Sequence, residues 1–76
     1  MRDEMKSKGR YEQSRKSNPS PKFWAYEIRD TTVTIQFGKL GTQGVRASRD
    51  FDTVKDAEEF VEVRLKKKLK DGYWPL

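Results

Sequence analysis

Phe37, Gly38 and Lys39 set a large ring, a residue with no side chain and a cation in direct succession, and glycine recurs at Gly41 and Gly44. Three kinds of chemistry use such a stretch. Backbone N–H groups around glycines can cradle an anion, an exposed ring can stack on a sugar or base, and glycine can reverse a chain by taking a positive φ. A nucleotide-binding loop needs a Lys-Ser/Thr pair opening a helix. Here Lys39 is followed by Leu40-Gly41-Thr42 and then by a strand-like run. A tight reversal accounts for Gly41 and Gly44, while Phe37 stays divided between a core ring and a stacking ring.

The remaining candidates are weaker. Lys39 adjoins the ring and can meet a phosphate as a point charge. Arg46 and Arg49 follow the glycines, and on a strand they fall on opposite sides, so at most one joins Lys39. Lys66, Lys67, Lys68 and Lys70 suit the C-terminal end of a helix for dipole reasons alone. Asp50 and Asp52 suggest a carboxylate pair for a cation, but they lie just before a helix start, where negative charge is stabilised anyway. Neither a metal nor another cofactor is expected.

Composition bounds what these residues can do. The chain has 76 residues, 33% hydrophobic and 38% charged, with a net charge of +5, as in a small basic single-domain protein whose partners carry negative charge. Cys and His are absent, which removes disulfides, thiolate or imidazole zinc sites, cysteine nucleophiles and imidazole bases. Carboxylates and lysines remain, in a chain with little volume to surround a substrate. A non-enzyme is expected. No apolar run approaches the ~20 residues that cross a bilayer, and MRDEMKSKGRYEQ has no secretory apolar core, so a cytoplasmic setting is the expectation.

The elements that must position the candidates follow from periodicity. Residues 1–21 contain one aromatic and no Val, Ile, Leu or Phe, with six basic against three acidic residues. That composition predicts a disordered basic arm, leaving a domain over residues 22–76. KFWAYEI and TVTIQF read as two antiparallel strands, with Trp24, Tyr26 and Ile28 on one face and Val33, Ile35 and Phe37 on the matching face. GKLGTQGVRASRDF adds one or two more strands around a Thr42-Gln43-Gly44 turn. Thr53 with Asp56 resembles a capping box, and Ala57, Phe60, Val61, Leu65 and Leu69 form a helical stripe that Gly72 ends. Tyr73 and Trp74 are expected to fold back on this body. The fold class is α+β, a small antiparallel sheet packed against one main C-terminal helix.

A KFW strand, the run FGKLGTQG, the Phe51-Asp52 step, an Ala-Glu-Glu-Phe helix and the KLKDGY close together resemble the WGR domain over about residues 22 to 74. That family occurs in poly(ADP-ribose) polymerases and in stand-alone bacterial proteins. Its name comes from a Trp-Gly-Arg tripeptide, matched here by Phe37-Gly38-Lys39. The resemblance implies a nucleic-acid-binding module in which Phe37 meets a sugar or base, Gly38 permits close approach and Lys39 meets phosphate or a partner. Phe lacks the indole N–H and Lys lacks the planar fork of Arg, changes that nonspecific phosphate attraction tolerates better than docking at a strand end. The polymerases' enzymatic role does not transfer.

The combined expectation is a nonenzymatic, sequence-tolerant nucleic-acid-binding module, acting on DNA ahead of RNA through Phe37, Gly38, Lys39, Arg46 and Arg49, and monomeric. The alternative is a protein-interaction module that binds an acidic partner or pairs with itself through a sheet edge. No membrane role is expected.

Overall fold

A computed structural model describes residues 7–14, 16 and 19–76. Five strands and one helix follow in the order β1 (Lys8–Gln13), β2 (Lys22–Arg29), β3 (Thr32–Lys39), β4 (Val45–Asp50), α1 (Val54–Lys70) and β5 (Tyr73–Pro75). The strands form one antiparallel sheet in the order β4-β3-β2-β1-β5. This is the expected α+β class, with one or two strands more than the three or four anticipated beside the one helix.

The β2–β3 hairpin follows the sequence pattern. Trp24 pairs with Phe37, Tyr26 with Ile35 and Ile28 with Val33, which fixes one apolar face. Asp30 turns the chain with a φ of 54°, a left-handed conformation that Asp tolerates. On the helix side Trp24, Tyr26, Val33, Ala57, Val61 and Tyr73 are buried as one cluster. Removing each larger apolar side chain from water contributes about 1.5–3 kcal/mol.

The helix begins where Thr53 accepts the Asp56 N–H at 3.0 Å. Among the described residues the Asp56 carboxylate makes no return bond to the Thr53 backbone, so half of the capping box forms. At the other end Gly72, at φ 91°, donates its N–H to the Leu69 carbonyl. The apolar stripe runs through Ala57, Val61 and Leu65, and Lys68 continues it in place of Leu69. Lys68 is half-buried with Nζ 5.1 Å from the Tyr73 ring, and Leu69 is exposed. A four-residue step from Ala57 to Val61 to Leu65 brings Lys68 or Leu69 to the sheet, and the long methylene stem of lysine fills that place while its charge stays in water.

One expectation fails. Lys8–Gln13, assigned above to a disordered arm, is a strand that pairs with both β2 and β5. Its composition hides it because its core-facing positions are Gly9 and Tyr11. The Tyr11 ring packs 6.1 Å from the Trp24 ring, and Gly9 leaves its space to the Tyr26 ring. Glycine costs a strand conformational entropy, but here a neighbouring aromatic occupies the vacated surface. Residues 1–6, 15, 17 and 18 of the expected arm lie outside the described residues.

Tyr73 and Trp74 belong to β5, whose pairing with β1 separates them. Tyr73 is buried against the helix side, whereas Trp74 is 65% exposed on the other. Among the described residues no helix is long and apolar enough to cross a membrane.

Two tests follow. A β-carbon at Gly9 would sit 3.0 Å from Tyr26 Cε1 and 3.3 Å from Tyr11 Cε1, so Gly9→Val is expected to cost about 1–3 kcal/mol through overpacking. Urea unfolding measures it, and an unchanged midpoint would restore the disordered arm. Burial holds the Tyr26 phenol above its ordinary 10.0, with Tyr11 adding to the effect, and burial followed by Asp71 does the same for Tyr73. The unfolded chain loses these protons first, so their effect on stability is nil below about pH 10 and becomes destabilising as pH climbs toward the raised native values. Thermal melts from about pH 9 to 11.5 should show that fall, and Tyr26→Phe should flatten part of it.

Candidate functional site

Phe37 closes the apolar face of β3, yet it is 42% exposed. Its position explains this. It stands near the end of the strand, facing α1 beside the last turns of the helix, and its cross-strand neighbour Val45 is also exposed. The ring borders two clefts. One, of about 640 Å³, runs between β3, β4 and the helix, where Trp24, Ile35, Ala47, Phe60 and Val63 supply apolar walls and Arg64, Lys67 and Lys68 supply charge. The other, about 330 Å³, opens at the sheet end among Lys22, Phe23, Gly38 and Tyr73. Phe37 and Lys68 border both clefts.

The glycines hold the strand end that carries the ring. A β-carbon on Gly38 would stand 2.7 Å from the Gly44 Cα, so two backbones meet there with no room for a side chain. At Gly44 the φ is 68°, and a β-carbon would run into the Phe37 carbonyl and approach Phe23 Cζ. The reversal itself precedes Thr42-Gln43-Gly44 and is centred on Leu40-Gly41: Thr42 donates its N–H to the Lys39 carbonyl at 3.1 Å, with Gly41 at φ 90°. Thr42 Oγ1 donates to the same carbonyl at 2.8 Å, and Gln36 Nε2 donates to the Gln43 carbonyl at 2.6 Å. Phe23, 1% exposed on the side of the sheet away from the helix, lies under this loop with the Arg10 guanidinium 4.3 Å from its ring centre.

Charge gathers at the same end. Lys39 pairs directly across the sheet from Lys22, an arrangement that like-charge repulsion disfavours. Among the described residues the ion pairs are Arg10–Glu12, Arg29–Glu27 and Lys66–Glu62; none of them involves Lys22, Lys39, Arg64, Lys67 or Lys68. Among the described residues no acidic side chain lines either cleft. The arrangement can receive an anion at several points around one ring.

The five sequence candidates therefore divide. Phe37, Gly38 and Lys39 share the sheet end. Arg49 faces the helix side but lies opposite Val33, four residues along the ladder from Phe37's partner, or about 13 Å. Its guanidinium lies 5.2 Å from the Phe51 ring centre and 5.4 Å from that of Phe60. Arg46 points to the opposite face, where it borders a separate concavity with Lys8 and Arg10. Lys22, Arg64, Lys67 and Lys68 also stand near Phe37, outside those five. Lys67 and Lys68 were visible in the sequence only as part of a lysine run suited to a helix end, and Lys22 and Arg64 carried no signal.

The WGR domain model matches residues 7–76, so it includes β1. A crystal structure of a Bacteroides fragilis protein, a structural-genomics target, has a similar fold, with a TM-score of 0.78 and 33% sequence identity. The match covers 91% of this chain and 19% of that longer one. Among curated proteins none matches.

The glycine geometry has a measurable consequence. Gly44→Ala places a methyl against the Phe37 carbonyl and strains a left-handed residue, so it should cost about 1–3 kcal/mol. Gly41 has open space around it, so Gly41→Ala should cost only about 1 kcal/mol for its positive φ. Chemical denaturation of both variants checks the ranking, and equal losses would remove the loop contact as the cause.

Proposed function

We propose that this chain, which belongs to the WGR family, is a nonenzymatic module that binds nucleic acid, DNA ahead of RNA, with little sequence preference. The observation that carries this reading is a half-exposed ring, Phe37, set among Lys22, Lys68 and the neighbouring Lys39, with no acid lining the clefts beside it. Stacking of a base or sugar on such a ring contributes on the order of 1–3 kcal/mol. The lysines act as point charges for phosphates, which favours a backbone of any sequence over bidentate reading of base edges.

This reading changes the emphasis among residues. Lys68 becomes a principal phosphate ligand beside Lys39, with Lys22, Arg64 and Lys67 adding to the field around Phe37. Arg49, held between Phe51 and Phe60, contributes more to the sheet–helix joint than to this site. Arg46 lies on the far side of the sheet and serves at most an outlying phosphate.

Affinity for a short DNA duplex, measured by fluorescence anisotropy across salt concentrations, tests the proposal. Log affinity should fall linearly with log salt, by about 0.9 per phosphate neutralised, and Lys39→Glu or Lys68→Glu should each reduce that slope by roughly one contact. Lys39→Glu has a further expected signature: it turns a repulsive Lys22–Lys39 pair into an attractive one, so thermal stability should hold or rise slightly while binding weakens. Unaltered affinity in both variants, or no salt-dependent binding to duplex, single-stranded DNA or RNA, would contradict the proposal.

A further inference from the structure

The sheet is wider than its cover. Four strand spacings of about 4.8 Å make roughly 19 Å of sheet, while one helix with its side chains is about 10 Å across. Helix α1 packs over β2, β3 and β5, and every residue of β4 is exposed. On the helix-facing side of β4 stand Val45, Ala47 and Arg49, register partners of Phe37, Ile35 and Val33. Val45, Phe37 and Val63 are 58%, 42% and 66% exposed, so the uncovered strip is apolar as well as vacant.

We propose that this groove between β4 and α1 docks an acidic amphipathic helix of a partner protein. The open strip runs along β4, where a cleft of about 640 Å³ against α1 gives a further helix its seat. The small side chain of Ala47 in mid-strand lets a helix approach the sheet, against the apolar wall that Phe60 and Val63 make on α1. Arg64 and Lys67 rise from α1 along one rim, and Arg49 stands at the far end of β4. The Arg49 and Arg64 guanidiniums lie 5.4 and 3.8 Å from the Phe60 ring centre, which keeps both at that wall. Among the described residues no acid lines the groove. A helix with leucines on one face and carboxylates along its flanks therefore meets apolar floor with apolar face and cations with anions, the helix-in-groove mode of recognition. This surface extends away from the lysines at the sheet end and shares Phe37, Arg64, Lys67 and Lys68 with the nucleic-acid reading, whereas Val45, Ala47, Val63 and Arg49 belong to it alone.

Methyl-labelled protein titrated with a synthetic acidic amphipathic helix, leucines on one face and glutamates on its flanks, tests the proposal. Binding should shift the Val45, Ala47 and Val63 methyl signals, and Val63→Glu or Ala47→Glu, both at exposed positions that leave folding intact, should weaken it at least tenfold. Lys39→Glu should leave it nearly unchanged, which keeps this result separable from the outcome of the DNA experiment. A scrambled peptide of identical composition that binds equally well would overturn the proposal, because charge alone would then suffice. Absence of shifts at Ala47 and Val63, or shifts there produced instead by a single-stranded oligonucleotide, would overturn it too.

Discussion

One helix cannot cover five strands. That mismatch of widths organises the surface of this protein, because α1 leaves part of an apolar sheet face open and among the described residues there is no second helix to close it. The helix settles over the larger rings, Trp24, Tyr26 and Tyr73, where burial removes the most area from water. The strip along β4 and the far end of β3 is left outside. Phe37 is a consequence of this placement: it has the phase of a core residue and the exposure of a contact residue, because the core ends beside it.

Backbone packing at the same end turns that exposure into a defined edge. Gly38 and Gly44 approach each other so closely that neither admits a side chain, and the loop between them is tied down by Thr42 and Gln36. Lys22 and Lys39 face each other across the ladder there, and the last turns of the helix bring Lys68 alongside. Repulsion among these cations opposes folding slightly. In the proposed function a polyanion would relieve it, so that attraction for phosphate and tolerance of self-repulsion would be two aspects of one charge distribution.

Much of the fold could be read from residue patterns, and the failures have specific causes. The β2–β3 pairing and the helix start were visible because alternation and a capping residue are local features. Strand β1 was not, since Gly9 and Tyr11 carry so little conventional apolar character that the segment resembles an arm; its stability comes from rings on β2, far away in sequence. Strand β5 was too short to show alternation. Of the proposed site, Phe37, Gly38 and Lys39 were legible in the sequence, because their adjacency is covalent. Its other half, Lys22, Arg64, Lys67 and Lys68, depends on which side of the sheet the helix chooses and on how far it reaches, and a lysine run at a helix end looks the same whether it faces solvent or a ligand. The alternation rule did separate Arg46 from Arg49 correctly, but the stacking of Arg49 on Phe60 needed tertiary structure.

The most direct test of the central claim is a chemical-shift map of the amide and lysine side-chain signals during addition of a short DNA duplex at low salt. The account predicts that changes centre on Lys22, residues 37–40 and the last two turns of α1, while Lys8, Arg10 and Arg46 on the other face of the sheet stay still. Changes centred on that other face, or a spectrum that does not move at all, would contradict it.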